Sequence, residues 1–173
     1  MKVEDTLKGM GLAVPNLEDL YRTNASGAHY ISHFPVQGML FLSGTVPIKD
    51  GKPYLPGVVG ESLTLEQGYE AARYAALTTL AAVKYALSDL DRVQQIVHLT
   101  GFVNSAPGFN DQPRVINGAA DLLVAIYGER GKPTRAAIGC RGLGGNASVE
   151  IIVQLLFSGT DVRPPLARDH FAR

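Results

Sequence analysis

Two residues of opposite charge, Arg135 and Glu150, stand fifteen positions apart near the end of the chain, each in a segment with β-type alternation. Arginine's planar fork can hold a carboxylate through two parallel hydrogen bonds, and a glutamate can orient or deprotonate a water. On pattern alone the same pair reads more simply as an ordinary cross-strand ion pair. Ala137 and Gly139 are small enough to leave room for a ligand beside Arg135. Other groups offer less. His29 and His33 are four apart, which on a strand separates them by roughly 13 Å, too far to share an ion. His98 falls in an apolar-alternating segment, where a packed or solvated ring is expected. With one cysteine and no His-Glu-x-x-His pattern, no metal site and no cofactor are expected. Cys140 falls in the set that the pattern turns inward and reads as a small apolar residue. No Gly-x-Ser-x-Gly elbow is present. Gly142, Gly144 and Gly145 join two strands, so they read as a turn, since a phosphate cradle opens a helix. Asp111-Gln112-Pro113 reads as a helix start.

These residues need elements to position them. Residues 3–11 predict a short helix ending at Gly9 or Gly11, and residues 12–27 an irregular stretch, within an N-terminal extension over residues 1–27. Residues 28–36 and 39–46 predict strands around a Gln37-Gly38 turn. Residues 47–60, rich in Pro and Gly, predict a loop with room for a short strand. Thr64 and Gln67 form a capping box for a helix over 65–87, with Ala72, Ala76, Leu80 and Val83 as an apolar stripe. A strand over 92–104, a helix over 112–127, and strands over 134–140 and 148–157 follow. The tail 158–173 is polar, contains prolines and is expected to be flexible. The order ββαβαββ predicts an α+β fold, a single mixed sheet with two helices packed on one face. On the last strand Val149, Ile151, Val153, Leu155 and Phe157 should meet the helices. The opposite face, Glu150, Ile152, Gln154 and Leu156, is half apolar, which predicts a protein partner, most simply another copy of the chain. On the strand before it Ala136, Ile138 and Cys140 read as the inward set. If the two strands pair as a hairpin, Arg135 and Glu150 then share the outward face, at the edge of a subunit interface.

The chain has 173 residues, suited to one domain, with 16 basic against 16 acidic side chains and a formal net charge of zero. Arg163, Arg168 and Arg173 are dispersed among prolines and acids, so nucleic acid is not an expected partner. Cys140 is the only cysteine, so no internal disulfide can form. The N-terminal stretch lacks an apolar signal core, and no run approaches the roughly 20 apolar residues that span a bilayer. A cytoplasmic protein with no membrane association is the expectation.

Residues 59–77, VGESLTLEQGYEAARYAAL, and 101–123, GFVNSAPGFNDQPRVINGAADLL, resemble the longer-chain subgroup of the reactive-intermediate deaminase family, also called Rid or YjgF-like and endoribonuclease L-PSP-like. The likeness covers residues 28–157. It implies a chorismate-mutase-like, trimer-forming domain with ligand clefts between subunits. It also implies that Arg135, in Pro133-Thr134-Arg135, and Glu150 are the family's ligand pair. By the same likeness Tyr30, the Ser43-Gly44 pair and Asn117 are substrate-binding, with backbone groups near Ala137. The chain departs from the family where a cysteine or serine often stands (Ala137), at the second glutamate of the last strand (Ile152), and in the connecting loop, where Gly142-Leu143-Gly144-Gly145 replaces a Leu-Pro. That loop is expected to line the pocket.

The activity implied is hydrolysis of α-imino acids to α-keto acids and ammonia. Arg135 would hold the carboxylate and Glu150 the water, with Tyr30 shaping the cleft. A non-catalytic keto-acid-binding regulator would use the same residues. A ribonuclease is the weaker alternative, because the chain is neutral and lacks an acid–base histidine pair.

Overall fold

The computed structural model describes residues 2–23 and 29–168. The expected strand start at Ala28 and the tail beyond residue 168, Arg173 included, lie outside the described residues.

Two helices carry the packing. Helix α3 (Leu65–Leu87) begins where Thr64 Oγ1 accepts from Gln67 N at 3.2 Å and Gln67 Oε1 accepts from Thr64 N at 2.8 Å. Both orphan donors are thereby satisfied, as the Thr-x-x-Gln spacing predicts. It ends at Ser88, which takes a left-handed conformation (φ 64°) and returns its N–H to Lys84 O. Ala71, Ala72, Ala75 and Ala76 are fully buried along α3, so the helix can approach its neighbours closely. Helix α4 (Gln112–Tyr127) lies against it, and a Cβ at Gly118 would run into the backbone of Tyr69. The short helix α1 (Val3–Gly9) buries Val3 and Leu7. A further helix, α2 (Leu17–Thr23), occupies part of the stretch expected to be irregular. Its start is fixed by Asn16, whose Oδ1 accepts from Asp19 N at 3.1 Å, and its Leu17 and Leu20 are buried.

The strands before α3 are β1 (Tyr30–Ile31), β2 (His33–Val36), β3 (Met39–Leu42), β4 (Ile48–Lys49) and β5 (Lys52–Pro53). After it come β6 (Val93–Asn104), β7 (Thr134–Cys140), β8 (Val149–Phe157) and β9 (Ala167–Arg168). The main sheet has the order β2-β3-β8-β6-β7 and is mixed, with only β6 and β7 parallel. Together with α3 and α4 this is the α+β fold expected. The β2–β3 turn places Gln37 and Gly38 at positive φ (47° and 80°), the conformation of a two-residue hairpin turn.

The expected β7–β8 hairpin does not form. β7 follows β6 through a helical crossover and therefore pairs beside it in parallel. β6 lies between β7 and β8, pairing Leu99 with Arg135 on one side and with Val153 on the other. This register also reverses the expected parity of β7. Leu99, Gly101 and Val103 face the helices, so Arg135, Ala137 and Gly139 face them too. Ala136, Ile138 and Cys140 point to the uncovered side with Phe102 and Glu150. Ile138 is 44 % exposed, which fits that face. β7 is an edge strand with small or mixed residues on both faces, so its hydrophobic pattern carried little information about which way it points.

The uncovered face is apolar over much of its width. Phe34 pairs across to Phe41, which pairs to Gln154, and Met39 pairs to Leu156. Phe34 is 57 % exposed, and Phe41 and Leu156 also remain open to solvent.

The stretch after β8 is anchored as far as Arg168, unlike the flexible tail that its composition suggested. Val162 and Leu166 pack on the core, Arg163 N donates to Ala86 O, and β9 pairs with β1. Buried His33 ties this segment down: Nε2 faces Arg163 O at 3.0 Å, and Nδ1 lies 2.9 Å from Ser32 Oγ, which accepts from Leu166 N. The carbonyl partner requires Nε2 to donate, so the neutral ring accepts at Nδ1. Burial holds the imidazole below its ordinary 6.5, outweighing the opposing effect of the Arg163 carbonyl. The unfolded chain therefore takes up the proton first, and stability is lost as pH falls from about 6.5 through the folded value. The melting temperature should drop between pH 7.5 and acid more steeply in the wild type than in His33→Gln, which cannot titrate; parallel curves would rule out this role for His33.

Candidate functional site

Four of the candidate ligand residues, Tyr30, Ser43, Gly44 and Glu150, gather around one cavity. β3 leads out of its ladder with β8 into Ser43 and Gly44, and pairing resumes where Thr45 and Ile151 exchange backbone hydrogen bonds of 2.9 Å. Leu40 pairs with Leu155 and Thr45 with Ile151, so β3's side carries one extra residue, a bulge at Ser43-Gly44. Such an irregularity frees a short stretch of backbone to line a site. Ser43 Oγ donates to Ile31 O at 2.5 Å, fixing the bulge against the segment that carries Tyr30. A side chain at Gly44 would collide with Glu150 Oε1, so the carboxylate lies directly over this glycine. Tyr30, Ser43, Gly44, Glu150, Gly144 and Gly145 border a cavity of about 710 Å³. The Gly-rich loop therefore lines the pocket through Gly144 and Gly145, as the resemblance implied. Gly145 sits at φ 63° in a short 3-10 turn between two strands, in keeping with a turn and not a phosphate cradle.

Glu150 is half-buried, and among the described residues its carboxylate has neither an ion-pair nor a hydrogen-bond partner. Burial pushes its carboxyl above the ordinary 4.5. A carboxylate that is partly desolvated, unpaired and beside a cavity is poised to exchange a proton with a ligand or water. Cys140 stands on the same side of the sheet, half-buried and not in the core as expected. Burial raises its thiol, with Glu150 adding to the effect against a Gly142 backbone hydrogen bond, so it is not an activated nucleophile.

The other predicted residues gather elsewhere. Arg135 is exposed at the edge of the sheet on the helix side, and its Nη1 donates to Asn117 Oδ1 on α4 at 2.7 Å. Ala137 follows on the same side, half-buried, and a Cβ at Gly139 would press on Gln112 of α4. Arg135 and Glu150 thus lie on opposite faces of the sheet, and the ordinary ion pair between them does not form within one chain. Each half-site keeps an unneutralised charge of opposite sign. His98 is satisfied by Thr134 Oγ1 at 2.8 Å and Thr100 Oγ1 at 2.9 Å. No group of three His, Cys, Asp or Glu side chains suited to a metal ion occurs among the described residues.

Sequence reasoning missed the part of the cavity built by α2, namely Leu17, Leu20 and Tyr21. Asn16 as a cap, followed by Glu18 and Asp19 in the first turn, was the available signal.

Comparison with known proteins places the chain's sequence and fold among relatives. The family model described as "YjgF/chorismate mutase-like, putative endoribonuclease" matches residues 7–153. Protein TCP17 of Trypanosoma cruzi is 36% identical over 151 residues, covering 87% of this chain and 91% of that protein. The crystal structure of Atu1372 from Agrobacterium tumefaciens, described as of unknown function, superposes with a TM-score of 0.81 at 35% identity, covering 90% of this chain and 92% of that one. A Shewanella oneidensis structure described as a "putative endoribonuclease" gives 0.84 at 29% identity, covering 91% of this chain and 100% of its own.

Proposed function

The chain belongs to the YjgF/chorismate mutase-like family, and from that premise we propose that it hydrolyses α-imino acids to α-keto acids and ammonia in clefts between copies of itself. The observation that carries this reading is the pair of separated half-sites. Glu150 is an unpaired, half-buried carboxylate over Gly44, and Arg135 is an exposed guanidinium steered by Asn117, on the other face of the sheet. A second copy docked on the apolar face can bring its Arg135 to the first copy's Glu150. The exposed Phe34, Phe41, Ile138 and Leu156 supply the apolar surface for that docking. A homotrimer is the assembly this reading takes, in the cytoplasm.

The chemistry needs few groups. Arg135 holds the substrate carboxylate, while Tyr30 and Ser43-Gly44 shape the wall opposite. Glu150 accepts a proton from water as its oxygen adds to the imine carbon. Glu150 hands that proton to the imine nitrogen, giving the carbinolamine. On collapse it takes the hydroxyl proton as the carbonyl forms and delivers it to nitrogen as the carbon–nitrogen bond breaks, so that ammonia and the keto acid leave. The raised carboxyl of Glu150 suits it to give and take a proton nearer neutral pH than an exposed glutamate would. Ala137 contributes no polar side chain, so any contact there is through backbone.

A ribonuclease, the activity in the description of the Shewanella structure, finds less support. Net charge is zero, and His33 and His98 are each held in separate hydrogen-bond sets. A keto-acid-binding regulator uses the same residues and differs in turnover alone.

Two measurements test the proposal. Light scattering at micromolar concentration should give three times the monomer mass; a clean monomer would leave the two half-sites unjoined and overturn it. Imines generated in situ by an amino-acid oxidase should disappear faster with the protein present. Thermal stabilisation by keto acids without any imine loss would select the regulator.

A further inference from the structure

We propose that the substrate carries a bulky apolar or aromatic side chain, received in a pocket built by α2 and the β4–β5 hairpin; this rests on the imine-hydrolase reading above. The cavity at Glu150, about 710 Å³, is of the size that holds whole small-molecule ligands, roughly 300–1,000 Å³. An imino acid of alanine size, anchored by its carboxylate, would leave most of it unfilled.

The walls define what fills it. Leu17, Leu20 and Tyr21 come from α2, Ile48 from β4, and Tyr54 from just beyond β5. Tyr54 packs on Tyr74 with ring centres 4.4 Å apart, and Tyr21 meets Tyr30 edge-on at 6.3 Å, so the aromatic walls are held by neighbours. Among the described lining residues Glu150 alone is charged, and there is no arginine, lysine or histidine. A second substrate carboxylate would be partly desolvated here, next to an acid, while the nearby Lys49 ammonium lies outside the lining and is engaged over the Tyr54 ring at 4.9 Å. An apolar side chain loses nothing by entering, and each added methylene is worth about fourfold in affinity.

The test uses the full chain and imines made in situ from leucine, phenylalanine, alanine and glutamate. It is paired with calorimetric titration of 4-methyl-2-oxopentanoate, phenylpyruvate, pyruvate and 2-oxoglutarate. Leucine- and phenylalanine-derived imines should exceed the alanine-derived one at least tenfold in kcat/KM, with the glutamate-derived imine lowest, and the keto acids should bind in the same order. Equal or better use of the alanine- or glutamate-derived imine overturns the pocket assignment and leaves imine hydrolysis standing. Absence of turnover with the binding order intact overturns hydrolysis and keeps the pocket. Absence of both overturns both. Leu17→Phe and Ile48→Phe fill the cavity from different walls. In either folded variant the large-to-small preference should shrink about tenfold, and an unchanged preference in both would refute the assignment.

Discussion

Glu150→Gln is expected to lose imine turnover by about 10²–10⁴-fold, the usual contribution of a positioned acid–base group, while keto-acid binding is largely kept. Shape is retained, so the loss isolates the proton transfer. The same substitution should not destabilise the protein. Burial raises the Glu150 carboxyl above 4.5, so its charged form is disfavoured in the folded state. The stability this group allows is fully present below about pH 4.5 and declines as pH rises through the folded value. Removing the charge therefore leaves the melting temperature at pH 7 equal to the wild type or higher, and the difference closes in acid, where both side chains are neutral. In the wild type the acid limb of kcat/KM should lie above the range of an ordinary glutamate. A structural role for Glu150 makes the opposite forecast: a lower melting temperature with activity retained. Melting curves and turnover on one preparation decide between them, and activity near wild type would remove Glu150 from the mechanism.

What the sequence showed, and what it hid, follows from how each feature is encoded. The α3 start was legible because Thr64 and Gln67 encode a local hydrogen-bond exchange that needs no tertiary context. Gln37-Gly38 was legible for the same reason. The inward set of β8 was legible because Val149, Ile151, Val153 and Leu155 are all large and wholly buried. β7 offered no such contrast. As an edge strand with one neighbour, it pairs Ala136 against Ala137 and exposed Ile138 against Gly139 in its two sets. Its facing was settled by the parallel pairing with β6, a contact across the crossover helix that alternation alone does not encode. The β7–β8 hairpin was inferred from adjacency in sequence, and that inference failed because the loop 141–148 passes over the end of β6. Helix α2 is only seven residues long, and its stability comes from burying Leu17 and Leu20 against the rest of the molecule rather than from propensity. Arg135 and Glu150 were thus identifiable by residue type and spacing, while their placement on opposite faces was not.

Arg135→Ala should weaken carboxylate binding by about 10–100-fold, since a charge-assisted contact is worth roughly 1.5–3 kcal/mol. Arg135→Lys should restore only part of it, because a point charge lacks the planar fork that Asn117 holds in place at 2.7 Å. Stability should change little, as Arg135 is exposed and forms no ion pair among the described residues. The opposite-face geometry adds a sharper expectation. If each cleft takes Arg135 from one copy and Glu150 from the next, Arg135→Ala and Glu150→Gln subunits are each inactive alone but complement each other. An Arg135→Ala copy still offers an intact Glu150, and a Glu150→Gln copy still offers an intact Arg135. Unfolded together and refolded at equal amounts, they should regain about a quarter of wild-type turnover, the fraction of clefts that random cyclic mixing makes whole. Clefts built within single chains would regain nothing, because every chain would carry one lesion. Refolding each variant alone supplies the baseline. Turnover in the mixture that stays at that baseline, with mixed oligomers verified by mass, would place the two residues in separate sites and break the link between Arg135 and the chemistry at Glu150.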